Sequence, residues 1–600
     1  MTISDRMRRS WESGGRYAVL ILSLTFVAYI PAMRAGFVWD DQQNVTENQL
    51  LRTVDGLRKT WMDPHASIQY YPLTYTGFWV QYQLWGLHPA RYHVVNVLLH
   101  ALNAILVGVL LTRLSVPGAW LAACLFAVHP VHVESVAWIT ELKNVLSGFF
   151  FLCAFLAYLR FANGAANRWW CYGLAFLLFV CALLSKTATI ALPAAILLVL
   201  WWKKARIGWR DLLPLLPFFL AAALMATLTN WVEEHHSGAV GSEWQLSLVE
   251  RILIAGRAVW FYAGKLIWPH PLMFIYPRWR IDPAAWWQYL YPGAVLAVLA
   301  ALWLLRGRLG KAPLIAAFLF VGALAPVPAF FNLYFMRFSY VTDHFQYLPS
   351  IGLIALMASI AWRVSGSRRT LMTVAAPVIA LLGILTWQHC KVFRNNETIW
   401  RDTVAKNPDC WLALNNLGRI VREAGDIYGA IEHYRAALQV KPDYAEAHYN
   451  LGNAFVQLGR MEDAVGQYEW ALQLDPNYVG AHGNLAFVLL RTGKVQQAID
   501  HLEQAVRINP NSTEAQYNLA LTLAQNGDLD DAQSHFETAI RLSPGYAEAH
   551  YALAMLLTKR NLNNEAVLHL QRAVQLEPTS ERFRRALDMV QRSNIEPATQ

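Results

Sequence analysis

AEAHYNLGNAFVQLGRMEDAVGQYEWALQLDPNY, residues 445–478, recurs in altered form at 411–444, 479–512, 513–546 and 547–580, five segments that align at a spacing of 34 residues without a gap. Leu417, Leu451, Leu485, Leu519 and Leu553 share one column. Ala430, Ala464, Ala498, Ala532 and Ala566 form a second, and Ala437, Ala471, Ala505, Ala539 and Ala573 a third; Pro442, Pro476, Pro510, Pro544 and Pro578 close each unit. Small residues at these positions let the two helices of a unit cross closely, and proline, which has no N–H to donate, ends the second helix. A unit of this size cannot bury its apolar face alone, so five of them predict a stacked helical solenoid. Residues 581 to about 592 read as the polar helix that caps its end.

Upstream the chain changes character. Taking about 20 apolar residues as one membrane crossing, helices are expected at 17–33, 92–113, 118–138, 143–160, 168–185, 187–203, 211–230, 287–305, 312–331, 345–362 and 370–388, eleven in all. Basic residues collect in alternate turns: Arg113; Arg160 and Arg168; Lys203, Lys204, Arg206 and Arg210; Arg306, Arg308 and Lys311; Arg363, Arg368 and Arg369. Those turns lie on the side of the basic N-terminus, which the positive-inside rule makes cytoplasmic. Glu250 to Pro269 is apolar but carries Arg251, Arg257 and Lys265. It reads as an interfacial or re-entrant helix, because a further crossing would move the 306–311 and 363–369 clusters outside.

Eleven crossings from a cytoplasmic N-terminus put everything after 388 outside, periplasmic if the membrane is a bacterial inner membrane, the expected home, and lumenal in a eukaryote. Arg6, Arg8 and Arg9 precede Tyr17 to Met33, but the run's length and the poor cleavage site Pro31-Ala32-Met33-Arg34 favour a retained helix over a signal peptide. The fold class expected is all-α, a polytopic membrane bundle followed by a solenoid. Its parts are a membrane domain at 1–390 with a first outer loop at 34–91, a linker at 391–410, repeats at 411–580, and a capping helix and tail at 581–600.

The net charge of +9 belongs to the membrane turns. No basic face with interleaved aromatics appears on a soluble part, which excludes a nucleic-acid reader. Cys124, Cys153, Cys171 and Cys181 sit in apolar stretches as small hydrophobes. Cys390 and Cys410 are the two that could meet outside the bilayer, and their pairing is not readable from sequence.

The first outer loop is long and crowded with polar and aromatic residues: Trp39-Asp40-Asp41, Asn44, Asn48, Asp63-Pro64-His65 and Tyr70-Tyr71-Pro72-Leu73-Thr74. Adjacent carboxylates at a membrane surface repel one another and lose solvent, which raises a pKa toward the range that suits a base for an acceptor hydroxyl. An equal reading has Asp40 or Asp41 capping a short helix. Further outer features are His129-Pro130-Val131-His132-Val133-Glu134, Glu141-Leu142-Lys143-Asn144, Ser185-Lys186-Thr187, and the cations Arg251, Arg257, Lys265, Arg278 and Arg280. Cations outside violate the charge bias unless they hold an anion such as a lipid-linked phosphate, or snorkel to headgroups. His129, His132 and Glu134 form no dense ligand set, and no metal is expected there. In the repeats, Asn416, Asn450, Asn484 and Asn518 recur in one column, with Ala552 breaking the series. That ladder either grips an extended peptide by its backbone amides or is simply part of the repeat consensus.

The 34-residue pattern is that of the tetratricopeptide repeats, which mainly bind protein segments. The whole chain resembles the transmembrane and tetratricopeptide repeat-containing O-mannosyltransferases, among the C-type membrane glycosyltransferases. The resemblance rests on Phe37-Val38-Trp39-Asp40-Asp41, His129-Pro130-Val131-His132-Val133-Glu134, Trp268-Pro269, Tyr347-Leu348-Pro349-Ser350, and the lead-in from Trp400-Arg401-Asp402-Thr403 to Asn415-Asn416-Leu417-Gly418. It implies inverting transfer of a sugar from a polyprenyl-phosphate donor to a Ser/Thr hydroxyl of a protein acceptor on the outer face. Asp40 or Asp41 would be the base. Lys186, Arg251, Arg257 and His344 would stand on the phosphate side, with Glu134 and His132 beside the substrate. The chain departs from animal members in its five repeats and in Asp343-His344-Phe345-Gln346 before Tyr347, which leaves sugar and acceptor open. The rival class is a membrane-anchored scaffold recruiting periplasmic proteins, for which eleven crossings are many. A transporter would need more ionisable residues inside the apolar stretches.

Overall fold

A computed structural model describes residues 3–204, 206–235, 245–324 and 334–595, and every regular element among them is helical. The chain divides into two units, Met1–Pro408 and Asp409–Gln600.

In the first unit each of the eleven expected stretches falls on a helix. Among the described residues six helices are long and apolar enough to cross a membrane alone: Pro89–Arg113, Ile139–Ala162, Arg168–Ser185, Trp209–His235, Trp286–Leu304 and Arg369–Arg394. Ala119–Val128 and Pro130–Ala137 make a pair bent by 57°. The bend has a local cause, since Pro130 withdraws a backbone donor and the His129 side chain accepts from the Val131 N–H instead. Gly14–Ala28, Thr187–Lys203, Ala312–Leu324 and Ser350–Val364 are shorter apolar helices. The end of the expected 312–331 stretch lies outside the described residues. This is a membrane protein. The stretch read as interfacial is the helix Leu248–Ile267, which buries Leu253, Ile254, Ala258, Tyr262 and Leu266. It meets the start of Leu290–Leu304 at Gly256, where a Cβ would stand 2.5 Å from the Pro292 nitrogen.

Inside Pro89–Arg113 a buried polar stripe, His93, Asn96, His100 and Asn103, follows the helical spacing of one face. Unpaired polar groups in an apolar bundle are costly, so each has a partner, and the partners are the turns that carry the site. His93 Nε2 meets the Gly36 carbonyl at 3.3 Å. Asn96 Nδ2 donates to the Trp138 carbonyl at 3.1 Å. His100 bonds the Ala127 carbonyl and Tyr347 hydroxyl, and Asn103 Nδ2 donates to the Val145 carbonyl at 2.8 Å.

The expected linker at 391–410 is mostly a built-in part of this first unit. Asn396–Lys406 is a helix whose Trp400 is buried against Trp39 and Phe274. Lys406 Nζ donates to the Leu272 carbonyl, Asn407 Nδ2 to that of Ile275, and the Gly36 N–H to that of Arg394. Burial of so large an aromatic ring ties the segment down, and the boundary moves to Pro408.

The second unit is five helix pairs, Trp411–Glu423 with Ile427–Val440 through Ala547–Lys559 with Asn563–Leu576, closed by Glu581–Ile595 as expected. The two alanine columns are buried, and one apolar core runs from Ala430 to Val590. Gly425, Gly459, Gly493 and Gly527 end the first helix of each of four repeats at positive φ, and Asn561 takes that place in the fifth at φ 60°. All six cysteines are free thiols, so Cys390 and Cys410 form no disulfide.

Candidate active site

The acid pair sits in a turn strained by design of its neighbours. Trp39 has φ 46°, a left-handed conformation that costs a bulky residue about 1–2 kcal/mol. Its ring stacks on Trp138 at 5.6 Å and 16°, and meets the edges of Phe274, Phe338 and Trp400. Its N–H donates to Asn396 Oδ1 at 2.6 Å. This aromatic clamp offsets the strain and fixes where the next two side chains point.

Those two carboxylates have different surroundings. Asp41 is fully buried, and three donors hold it: the Val38 N–H at 2.8 Å on Oδ2, and the Thr140 N–H at 2.8 Å and hydroxyl at 2.5 Å on Oδ1. Burial, with Asp40's charge beside it, pushes its carboxyl up to about 8, against the pull of the Thr140 and Val38 donors. Asp40 keeps some exposed surface, while its buried Oδ1 has no donor among the described residues. Burial raises its carboxyl to about 6, with Lys143 opposing and Glu141 adding. Asp41 is therefore held as a brace, and Asp40 has the free oxygen a base needs. The helix-capping alternative is not what the geometry shows: neither side chain caps a helix, and Asp41's bonds reach across to Thr140.

Around them lie buried ions. Glu141 Oε1 is 3.1 Å from Lys143 Nζ and its Oε2 3.2 Å from Lys186 Nζ. Lys186 occupies the break between two apolar helices, Arg168–Ser185 and Thr187–Lys203, where the Ser185 carbonyl accepts the Thr74 hydroxyl. Burial lowers its amine to about 8, with Glu141 opposing. Glu134 Oε1 accepts from the Thr342 hydroxyl at 2.7 Å and pairs with His344 Nδ1 at 2.9 Å, while Oε2 accepts the His344 N–H at 3.1 Å. Asp343, beside it, accepts both of its short contacts from the Tyr276 hydroxyl, and burial together with Glu134's charge pushes its carboxyl well above the usual range.

An apolar cavity of about 490 Å³ opens from this cluster, with Tyr71, Asn144, Lys186, Thr187 and His344 at one end. It runs between apolar faces of several helices to Ser115, Trp202, Lys311 and Arg363. Its lining from Ile351 to Arg363 on one helix spans about 18 Å at 1.5 Å per residue.

The structure thus brings together Asp40, Asp41, Glu134, Lys186 and His344, and it leaves others out. His132 bonds the Phe126 carbonyl and the Ser350 hydroxyl, an internal brace away from the cavity. Arg251 donates to the Leu246 carbonyl, and the Arg257 guanidinium lies 4.4 Å from the Trp279 ring centre; neither lines the cavity. The amphipathic helix that carries them turns its cations to aromatic and backbone partners. Among the described residues no group of three or more His, Cys, Asp or Glu could hold a metal ion. In the repeats, Asn450 Nδ2 donates to Asn415 Oδ1, and Asn484 Nδ2 donates to Asn453 Oδ1 and the Tyr449 hydroxyl. Those two amides knit one repeat to the preceding one. Asn416 is buried, and the Asn518 carbonyl accepts from the Thr522 hydroxyl. Sequence reasoning missed Trp138 and Thr140, and it named Lys143 and Asn144 only within the outer stretch Glu141-Leu142-Lys143-Asn144, without a role. The available signal was a lysine in the first turn of an apolar helix, where a cation needs a buried partner.

Models of the tetratricopeptide repeat match residues 418–459, 449–513, 501–534 and 523–589. The chain is similar to a protein O-mannosyl-transferase of Caenorhabditis elegans, 23% identical over 459 residues that make up 72% of this chain and 64% of that protein. It is similar to one of Mus musculus, 24% identical over 480 residues, 66% of this chain and 63% of that protein. A second mouse protein of the same description is 34% identical over 151 residues, 24% of this chain and 16% of that protein. The chain resembles the protein O-mannosyl-transferases along most of its own length, and it spans less than two thirds of the length of these relatives.

Proposed function

We propose that this chain is a membrane glycosyltransferase that moves a hexose, mannose by resemblance, from a polyprenyl-phosphate donor to a Ser/Thr hydroxyl of protein acceptors. The observation that carries the reading is the apolar cavity that ends at buried Lys186, which shares Glu141 with Lys143, both of them charges that act on Asp40. A polyprenyl tail matches the cavity's lining, and each buried methylene contributes about 0.8 kcal/mol to holding it. Glu141 divides its charge between two ammonium groups, so Lys186 meets the cavity with charge to offer a phosphate.

The transfer is a single displacement. The acceptor oxygen attacks the anomeric carbon as the bond from that carbon to the phosphate oxygen breaks, and the electron pair leaves with the polyprenyl phosphate. The hydroxyl proton passes to Asp40, whose free Oδ1 is the acceptor. Lys186, with Lys143 and His344 near it, stabilises charge gathering on the departing phosphate. Asp41 and Thr140 hold Asp40's turn in place. The tetratricopeptide repeats bind protein segments and recruit the acceptor. The side of the membrane follows from the charge bias of the turns, with the acid pair opposite the basic N-terminus.

The test compares intact masses of outer-face proteins in cells carrying the native chain and in cells carrying Asp40→Asn at matched expression. Loss of a hexose increment from Ser/Thr sites in the variant is expected. A profile that is the same in the native cells, in the Asp40→Asn cells and in cells lacking the chain would remove protein glycosylation as the function.

A further inference from the structure

Trp138 has a polar atom with nothing to do. The residue is 3% exposed, and its indole Nε1–H is buried without an acceptor among the described residues. A buried donor left unpaired is costly, and native structures rarely keep one without a use. The rest of the residue is fully engaged. Its carbonyl accepts from Asn96 Nδ2 and from the Glu141 N–H, which pins the backbone. Its ring is held by Trp39 on one face and the edge of Phe274 at 5.1 Å.

The indole is also central. Trp39, which it stacks on, directly precedes Asp40. Lys143 Nζ lies 5.9 Å from its ring centre, and the His344 ring lies 6.1 Å away. The indole therefore bridges the base side and the phosphate side of the site. Under the transfer reading, the group lying between a base and a leaving phosphate is the sugar itself. Asp40 Oδ1, in the residue that follows Trp39, is likewise buried without a donor among the described residues, and Glu141 Oε1 is 3.1 Å from Lys143 Nζ.

We propose that Trp138 is a sugar-recognition residue, its Nε1–H donating to one ring hydroxyl of the hexose and so selecting the sugar and orienting its anomeric carbon toward Asp40. This inference rests on the glycosyl-transfer reading. A rigid aromatic with a single donor suits the role: the ring is pre-ordered by Trp39 and Phe274, so the bond forms with little entropy cost. A site built around one hydroxyl rejects the analogue lacking it, because the buried N–H is again left unpaired.

The experiment uses full-length protein in lipid nanodiscs, short-chain polyprenyl phosphate mannose and its four singly deoxygenated sugars, and a Ser/Thr peptide acceptor. Native chain and Trp138→Phe are compared for kcat/KM. Donor affinity is measured separately in the Asp40→Asn background, where turnover is not needed. For the native chain, one deoxy donor should fall about 10- to 100-fold below the parent. Trp138→Phe should lose a similar factor with the parent donor and no longer distinguish it from that one analogue. Benzothienylalanine at position 138, which keeps the shape and removes the N–H, should behave as Trp138→Phe does, which separates the lost donor from lost packing. Equal losses of the Trp138→Phe chain across all donors, or none, would overturn the sugar contact while transfer by the native chain stands. Trp138-dependent, hydroxyl-selective binding by a native chain that transfers nothing would leave the contact standing and overturn the transferase. Absence of both binding and transfer would overturn both.

Discussion

Asp40→Asn is the most informative single change, because it keeps the turn's shape and removes only the proton acceptor. A positioned general base contributes about 100- to 10,000-fold in rate, and kcat/KM should fall within that range. The native pH profile gives a second, independent reading. Burial raises Asp40 to about 6, and the base must be ionised to act. Activity should therefore be low in acid and rise as pH passes through 6. One pH unit below its midpoint about a tenth of Asp40 is ionised, so about a tenth of the plateau rate should remain. Lys186 works in the opposite sense. Burial lowers its amine to about 8, and it holds phosphate only when protonated, so activity should fall again as pH rises through 8. The result is a bell centred near neutrality. Initial rates of hexose transfer from short-chain polyprenyl phosphate mannose, measured in nanodiscs at constant ionic strength across both limbs, test this. The residual activity of Asp40→Asn should lack the acid limb, and Lys186→Arg, with its permanent charge, should lack the alkaline one. An acid limb that persists in Asp40→Asn would refute the assignment of the base.

Other consequences concern stability and boundaries. Glu141→Gln leaves two buried ammonium groups without their shared carboxylate, and it should cost about 3–5 kcal/mol, read as a lowered unfolding temperature in detergent. Truncation after Pro408 should spare donor binding and weaken use of protein acceptors, whereas truncation after Cys390 should also unfold the site. The second cut removes buried Trp400, and losing such an aromatic costs about 3–5 kcal/mol; equal donor binding by the two truncations would disprove the revised boundary. In the repeats, Gly425→Ala should destabilise by about 1–2 kcal/mol, because φ there is 96°, and Asn561→Gly should not, as denaturant titration of the repeat unit would report.

Much of the architecture was legible in the residues themselves. The 34-residue period names its helix pairs because the same small and apolar residues must return wherever the same packing returns, and every alanine column is buried as the spacing demands. The apolar stretches likewise announce helices, since a chain in lipid must satisfy its own backbone. The adjacent acids and Lys186 were visible as charges standing where charge is costly. Their roles were not. Asp40 and Asp41 look alike in sequence, and only the Thr140 donors, which arrive from another part of the fold to join the Val38 N–H of the same turn, make one a brace and leave the other free. Arg251 and Arg257 carry the same charge as Lys186, yet their helix presents them to Leu246 and Trp279 rather than to the cavity.

The boundary at Pro408 and the polar stripe of Pro89–Arg113 show the same division. Periodicity and composition are local properties, and they determined the helices, the repeats and the candidate charges. Which side chains meet across 99 residues, as Thr140 and Asp41 do, is decided by packing between helices that sequence spacing does not record. The tertiary structure alone therefore decided which of the two acids is braced, which keeps a free oxygen, and that the Trp138 indole stands by Trp39, Lys143 and His344.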